Sequence, residues 1–173
     1  KTPHTIQPDR CLHHRFGFLL KVKNMIFYDF EVFKYDWLVV CIDTDTGKEH
    51  VIVNDSHLLN ILYSQNIKNI WVGYNNKHYD QYILKAILFG MNPKVVTDKI
   101  IINHMEGWQI SDAFRNSKMI NYDTMPNDMK SLKVLEGFIC YNIKETSVPL
   151  YIDRRLTKEE IEGNIKYCRN DVY

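Results

Sequence analysis

The first clear pattern along the chain is at residues 25–31, MIFYDFE, an apolar run that reads as a buried β-strand with two carboxylates near its end. In a β-strand, residues two apart share a face, so Asp29 and Glu31 project together and Phe30 points the other way. Two like charges side by side on a core strand are unfavourable unless a positive charge sits between them. A divalent cation with oxygen ligands meets that need. The alternative is an edge strand ending in two solvated acids. Residues 37–43 (WLVVCID) are nearly all apolar and read as a second, central strand. Residues 44–47 form a polar, Gly-closed turn, and 49–53 form a third strand. The three make a meander, so the sheet is partly antiparallel. Asp55 and Ser56 offer an N-cap to a short helix over 57–64. Residues 69–73 (NIWVG) give a fourth strand.

A polar loop, 74–80, then enters a helix on which Tyr79, Ile83, Ala86 and Ile87 share one face. Gly90 and Pro93 end it. Residues 92–104 hold another helix. Residues 108–110 and 119–123 read as a short hairpin or a fifth strand, ended by 123–126 (DTMP). Residues 131–138 are a short helix stopping near Gly137, and 139–152, with Pro149 inside, are irregular. Thr157 and Glu160 make a capping box for a final helix. The order of elements predicts an α/β domain: a mixed central sheet flanked by helices.

Composition narrows the function classes. The 173 residues suit one domain, and 45% hydrophobic with 13% aromatic residues can fill a core. There is no apolar run long enough for a membrane span. The formal net charge is +1, but residues 1–24 carry five Lys/Arg against one acid, leaving 17 bases against 20 acids in the rest. By composition, then, residues 25–173 are no basic nucleic-acid cradle; local Lys/Arg and bound metal must attract any polyanion. Cys11, Cys41, Cys140 and Cys168 are scattered, which fits a reducing compartment such as the cytoplasm and argues against a zinc site or disulfide frame. Residues 1–24 lack a sustained period and read as an extraneous or flexible segment, with Met25 as the natural start; a genuine arm packing residues 16–20 on the core is the other reading. The His13–His14 pair has no partner at metal-ligand spacing. No Gly-x-Gly-x-x-Gly follows any strand, which counts against a nicotinamide-binding domain.

Three polar clusters remain: Asp29 with Glu31, Asn75 with Asp80, and Tyr167 with Asp171, the last pair one turn apart on one helix face. Four converging carboxylates would hold two divalent cations roughly 4 Å apart, the arrangement used for phosphodiester cleavage. Oxygen ligands at this density favour Mg²⁺ or Mn²⁺ over zinc.

Asp-x-Glu on the first strand, Asn-x-x-x-Tyr-Asp after the fourth and Tyr-x-x-x-Asp on a late helix resemble the DEDDy class of 3′–5′ exonucleases. The flanks GYNNKHYDQYIL and YCRNDV look like proofreading domains of DNA polymerases, and Asp123-Thr124 like the Asp-Thr pair between their second and third motifs. SLKVLEGF and ETSVPLYIDRRLTKEEIE resemble the N-terminal end of bacteriophage-type DNA polymerases. The likeness covers residues 25–173.

The resemblance implies a ribonuclease H-like fold with a five-stranded mixed sheet and the site at strand ends. It implies hydrolysis of the terminal phosphodiester of single-stranded DNA from its 3′ end, as the proofreading part of a DNA-directed DNA polymerase in replication. A stand-alone exoribonuclease of the same fold, or a non-catalytic nucleic-acid-binding module, are the rivals. Asp29 would bridge two metals, Glu31 and Asp171 would complete the tighter site, and Asp80 would hold the second ion. Tyr167, a poor base with a pKa near ~10, would orient the attacking water. Asn75 would hold the terminal nucleotide or fix its loop. Phe33 would wedge against a terminal base or belong to the core, and Lys77 and His78 would touch phosphate or stand exposed. The polymerase portion would lie beyond Tyr173. The expectation is therefore a domain truncated in its last helix, with activity weakened if the final turn frays, and located in the host cytoplasm if phage-encoded.

Overall fold

The run at residues 25–31 becomes the middle of the sheet. In a computed structural model of the chain, describing residues 24–126, 131–138, 148–149 and 151–173, β1 spans Met25–Val32. Ile26, Tyr28, Phe30 and Val32 are buried on one face, while Phe27, Asp29 and Glu31 lie half-buried on the other. β2 (Trp37–Asp43) and β3 (Glu49–Val53) follow as an antiparallel meander. α1 (Ser56–Gln65) starts at Asp55, whose side chain accepts from the Leu58 amide at 2.8 Å. It leads to β4 (Ile70–Gly73), which runs parallel to β1. Then come α2 (Asp80–Leu88), α3 (Pro93–Ile101), α4 (Asp112–Asn116), β5 (Asn121–Asp123), α5 (Leu132–Phe138) and α6 (Lys158–Val172). The sheet order is β3-β2-β1-β4-β5, with two antiparallel and two parallel pairings. This is an α/β fold with a five-stranded mixed sheet flanked by helices, consistent with the ribonuclease H-like arrangement expected from the sequence.

Two apolar layers sandwich the sheet. The larger joins the Tyr28 face of β1 to Leu59 and Leu62 of α1, Ile83 and Ala86 of α2, and Val96 of α3. The smaller joins Leu38 and Val40 of β2 to Cys168, Ile165 and Val172 of α6. Across the β1–β2 ladder, Asp29 stands opposite Val40 and Glu31 opposite Leu38, so the two acids share the α6 side of the sheet. The topology thus brings the first strand and the last helix together.

One expected element takes another form. Residues 108–110 are no strand: Gly107–Gln109 is a 3₁₀ turn closed by a Glu106–Gln109 capping box, and Ser111 caps α4. A Cβ on Gly107 would come within 2.1 Å of the Tyr82 ring, so this backbone lies flat on α2 and cannot pair in a hairpin. The fifth strand is only β5, parallel to β4 rather than paired with a neighbour in sequence. The expectation that residues 1–24 stand apart concerns positions that, Asn24 excepted, lie outside the described residues, as does most of the stretch 139–152. Among the described residues, no helix is long and apolar enough to cross a membrane.

α6 is tied down at both ends. Its N-terminal box pairs Thr157 with Glu160, and Arg154 forks onto Glu160 with two bonds of 2.7 Å. Near its C-terminal end Arg169 makes a two-bond fork, 2.6 and 2.7 Å, to Glu49 on β3. Just before it, the buried Asp36 carboxylate accepts from the Leu156 amide (2.8 Å), Arg155 Nη1 (3.1 Å) and Asn54 Nδ2 (2.7 Å). Asp36→Ala leaves an amide and an Asn side chain without their acceptor. A loss of about 2–4 kcal/mol in urea unfolding is expected, far above that of an exposed acid.

Candidate metal centre

The site forms where β1 outruns its parallel neighbour. β4 pairs with β1 only over Met25–Phe27. Past Phe27, that edge of β1 has no strand beside it, and the amide of Phe30 is taken by a side chain instead: Asp80 Oδ1 accepts from it at 3.2 Å. Asp80 is the first residue of α2 and 4% exposed. The helix N-terminus favours its charge, and the missing strand lets its carboxylate reach toward Asp29 and Glu31.

The loop delivering Asp80 is braced from β5. Asn75 sits in the left-handed region (φ 54°), a conformation Asn tolerates, and its carbonyl accepts from the His78 and Tyr79 amides. Asn76 is fully buried and donates from Nδ2 to the Tyr122 carbonyl at 3.0 Å. Asp123 Oδ2 accepts from the Lys77 amide (3.0 Å), and the Thr124 amide donates to the Gly73 carbonyl (3.0 Å). The Asp-Thr pair noticed in the sequence is thus engaged in holding the loop.

From the far end of the chain, α6 presents Tyr167 and Asp171. Ligand atoms of Asp29, Glu31 and Asp171 all lie within 4.8 Å of one another, a grouping that could hold a metal ion. These three, with Asp80, Tyr167 and Asn75, line one open cleft of about 280 Å³. The cleft lining thus includes all four proposed metal ligands, the tyrosine and Asn75, while the close grouping holds Asp29, Glu31 and Asp171 but not Asp80. Phe33 is the exception among the expected site residues. It is 1% exposed, packed at the start of the β1–β2 turn, and lines a different cleft with Asp36 and Trp37. Its ring is core, so the wedge reading of Phe33 is corrected.

The electrostatics are those of crowded, desolvated carboxylates. Burial, then Asp80, Glu31 and Asp171, push the Asp29 carboxyl well above its ordinary range. Glu31 is raised to about 8 by burial, Asp171 and Asp80, with Lys133 opposing. Asp80 is raised to about 7, chiefly by burial, while its backbone hydrogen bonds pull the other way. Burial, the neighbouring Asp171 and Glu31, and a hydrogen bond to Asp171 hold the Tyr167 phenol far above its usual value. Such groups carry protons until a cation displaces them. Hard oxygen donors, a dry setting and excess negative charge fit a hard divalent cation.

Comparison with family models, with curated proteins and with solved structures gives no match.

Two neighbours of the acids were not anticipated from sequence. Lys133 on α5 places its ammonium 5.9 Å from the centre of the Tyr167 ring, and its field reaches Glu31. Cys168 on α6 lies 3.3 Å from Asp29 Oδ2. Cys168 adjoins Tyr167 in sequence, but its contact with Asp29 forms only when α6 packs on β1.

Proposed function

We propose that this domain is a metal-dependent 3′–5′ exonuclease acting on single-stranded DNA, of the kind that proofreads for a DNA polymerase. The observation carrying this reading is the meeting of Asp29, Glu31 and Asp171 within 4.8 Å, from opposite ends of the sequence, in a cleft that Asp80 and Tyr167 also line. Asp29, Glu31, Asp80 and Asp171 would hold two Mg²⁺ or Mn²⁺ ions. When bound, the ions supply an acidified water and neutralise the charge building on the phosphate and the departing 3′ oxygen.

The protein's own groups do the rest. Tyr167, kept protonated by its surroundings, cannot serve as a base at neutral pH; its hydroxyl orients the attacking water. Asn75, which lines the same cleft, would hold the terminal nucleotide. A cleft of about 280 Å³ lies at the small end of ligand sites, which suits one terminal nucleotide. The water oxygen bonds to phosphorus, the P–O3′ bond breaks, and the departing oxygen gains a proton. The products are a 5′-nucleotide and a strand one unit shorter.

A 5′-labelled single-stranded oligonucleotide with Mn²⁺ tests this. Stepwise shortening from the 3′ end, stopped by a chelator, is the expected result. Tyr167→Phe should slow it by ~10–100-fold without abolishing it, because the hydroxyl positions rather than ionises. An uncut strand despite measurable Mn²⁺ binding would point to a non-catalytic binding module. Faster cutting of an RNA of equal sequence would reassign the substrate to RNA.

A further inference from the structure

The Cys168 side chain is fully buried between α6 and the β1–β2 ladder, against Leu38 and Val40. Its sulfur lies 3.2 Å from the main-chain carbonyl oxygen of Asp29 and 3.3 Å from Oδ2 of the same residue. A thiol has one proton and is a weak donor. That proton lies within reach of both acceptors, so one bifurcated contact addresses the Asp29 main chain and its carboxylate together. The same carboxylate supplies a ligand atom to the Asp29–Glu31–Asp171 group. One oxygen is therefore addressed from within the protein while the group as a whole faces the cleft.

We propose that Cys168 is a positioning residue for the metal centre: its S–H donates to Asp29 and sets the carboxylate's rotation, so that the Asp29 oxygens meet Glu31 and Asp171 in ligating geometry. This rests on the reading of the cleft as a metal site and adds a role outside the four acids and the tyrosine. Partners that orient a ligand from behind typically carry 10–100-fold in metal affinity.

Mn²⁺ titration by calorimetry on the whole chain reads this directly. Cys168→Val keeps the bulk and removes the donor; Cys168→Ala removes both; Cys168→Ser restores a stronger donor. Expected are a Kd about 10-fold weaker for Val and Ala, and a Ser variant within about threefold of the unaltered chain. Activity of the Val variant should recover at correspondingly higher Mn²⁺. Melting curves establish that each variant is folded; should Ala fail to fold, the Val–Ser pair decides. Equal affinity in all folded variants overturns the inference, and so does equal weakening in Val and Ser, which would mean packing alone. If the unaltered chain binds no Mn²⁺, the metal reading falls and takes this inference with it; tight native binding with unchanged variants removes this inference alone.

Discussion

Asp29→Asn is expected to cut Mn²⁺-dependent release of 3′ nucleotides by about 10³-fold while making the metal-free protein melt higher. The first effect follows from Asp29's place. Its carboxylate belongs to the group whose ligand atoms lie within 4.8 Å, and its field also meets that of Asp80, so it would serve the ion held by that group and sit beside the acid proposed for the second. Losing its charge and one ligating oxygen removes stabilisation where negative charge builds on phosphate. A factor of 10³ corresponds to roughly 4 kcal/mol of transition-state stabilisation. The second effect has the opposite sign. Without metal, Asp29 is held among Asp80, Glu31 and Asp171 and out of water, which pushes its pKa up. A neutral amide of the same shape removes the cost of holding a proton there at neutral pH, and a gain of ~2–5 °C in Tm is expected. A simple folding defect would lower activity and Tm together, so the divergence of the two readouts marks the site. Full activity in Asp29→Asn would end the exonuclease reading.

The strand carrying these acids was legible because period-2 alternation is a property of the chain itself. Ile26, Tyr28, Phe30 and Val32 had to be buried together, and that forced Asp29 and Glu31 to the other face. Local end signals were equally readable: Asp55 caps α1, and Thr157 with Glu160 closes the box on α6. The stretch from Gly107 to Asp123 was not. Its course depends on Gly107 lying against the Tyr82 ring and on a three-residue strand finding β4 across some 50 positions of sequence. Such short segments contain barely more than one period of either pattern, so contacts decide them.

The site divides the same way. Residue types and order suggested the four acids, but their convergence needs the β4 shortfall that admits Asp80 and the α6 docking that brings Asp171. Phe33 stayed open between two readings for a plain reason: an aromatic just past a strand fills a core as readily as it stacks on a base, and only its burial decides for the core. Asp36 gave no sign of its three hydrogen bonds, because its partners at Asn54, Arg155 and Leu156 are remote in sequence.

The metal-free protein should be most stable near pH 4 and lose on the order of 5–10 °C in Tm by pH 8.5, with Mn²⁺ restoring most of it at the alkaline end. In the unfolded chain Asp and Glu titrate near ~4. In the folded protein Glu31 is raised to about 8 and Asp80 to about 7. Between those limits the native state holds protons that the unfolded state has released, so stability falls as pH rises through the window. Below about pH 4 both states are protonated at these positions and the effect vanishes. There the opposite group takes over: Glu160, depressed to about 2 by Arg154 and its capping bonds, gives stability that disappears as pH drops from ~4 toward 2. The optimum therefore falls between the two windows. A cation needs the very oxygens that the protons occupy, so its affinity should climb from pH 5 to 8 and its stabilisation with it. Thermal melts at pH 5, 6.5 and 8.5, with and without 1000-fold the Mn²⁺ dissociation constant, where linkage supplies about 4 kcal/mol, read both curves. A metal-free Tm that rises steadily across this range would mean that the four acids are not held together as charges out of water.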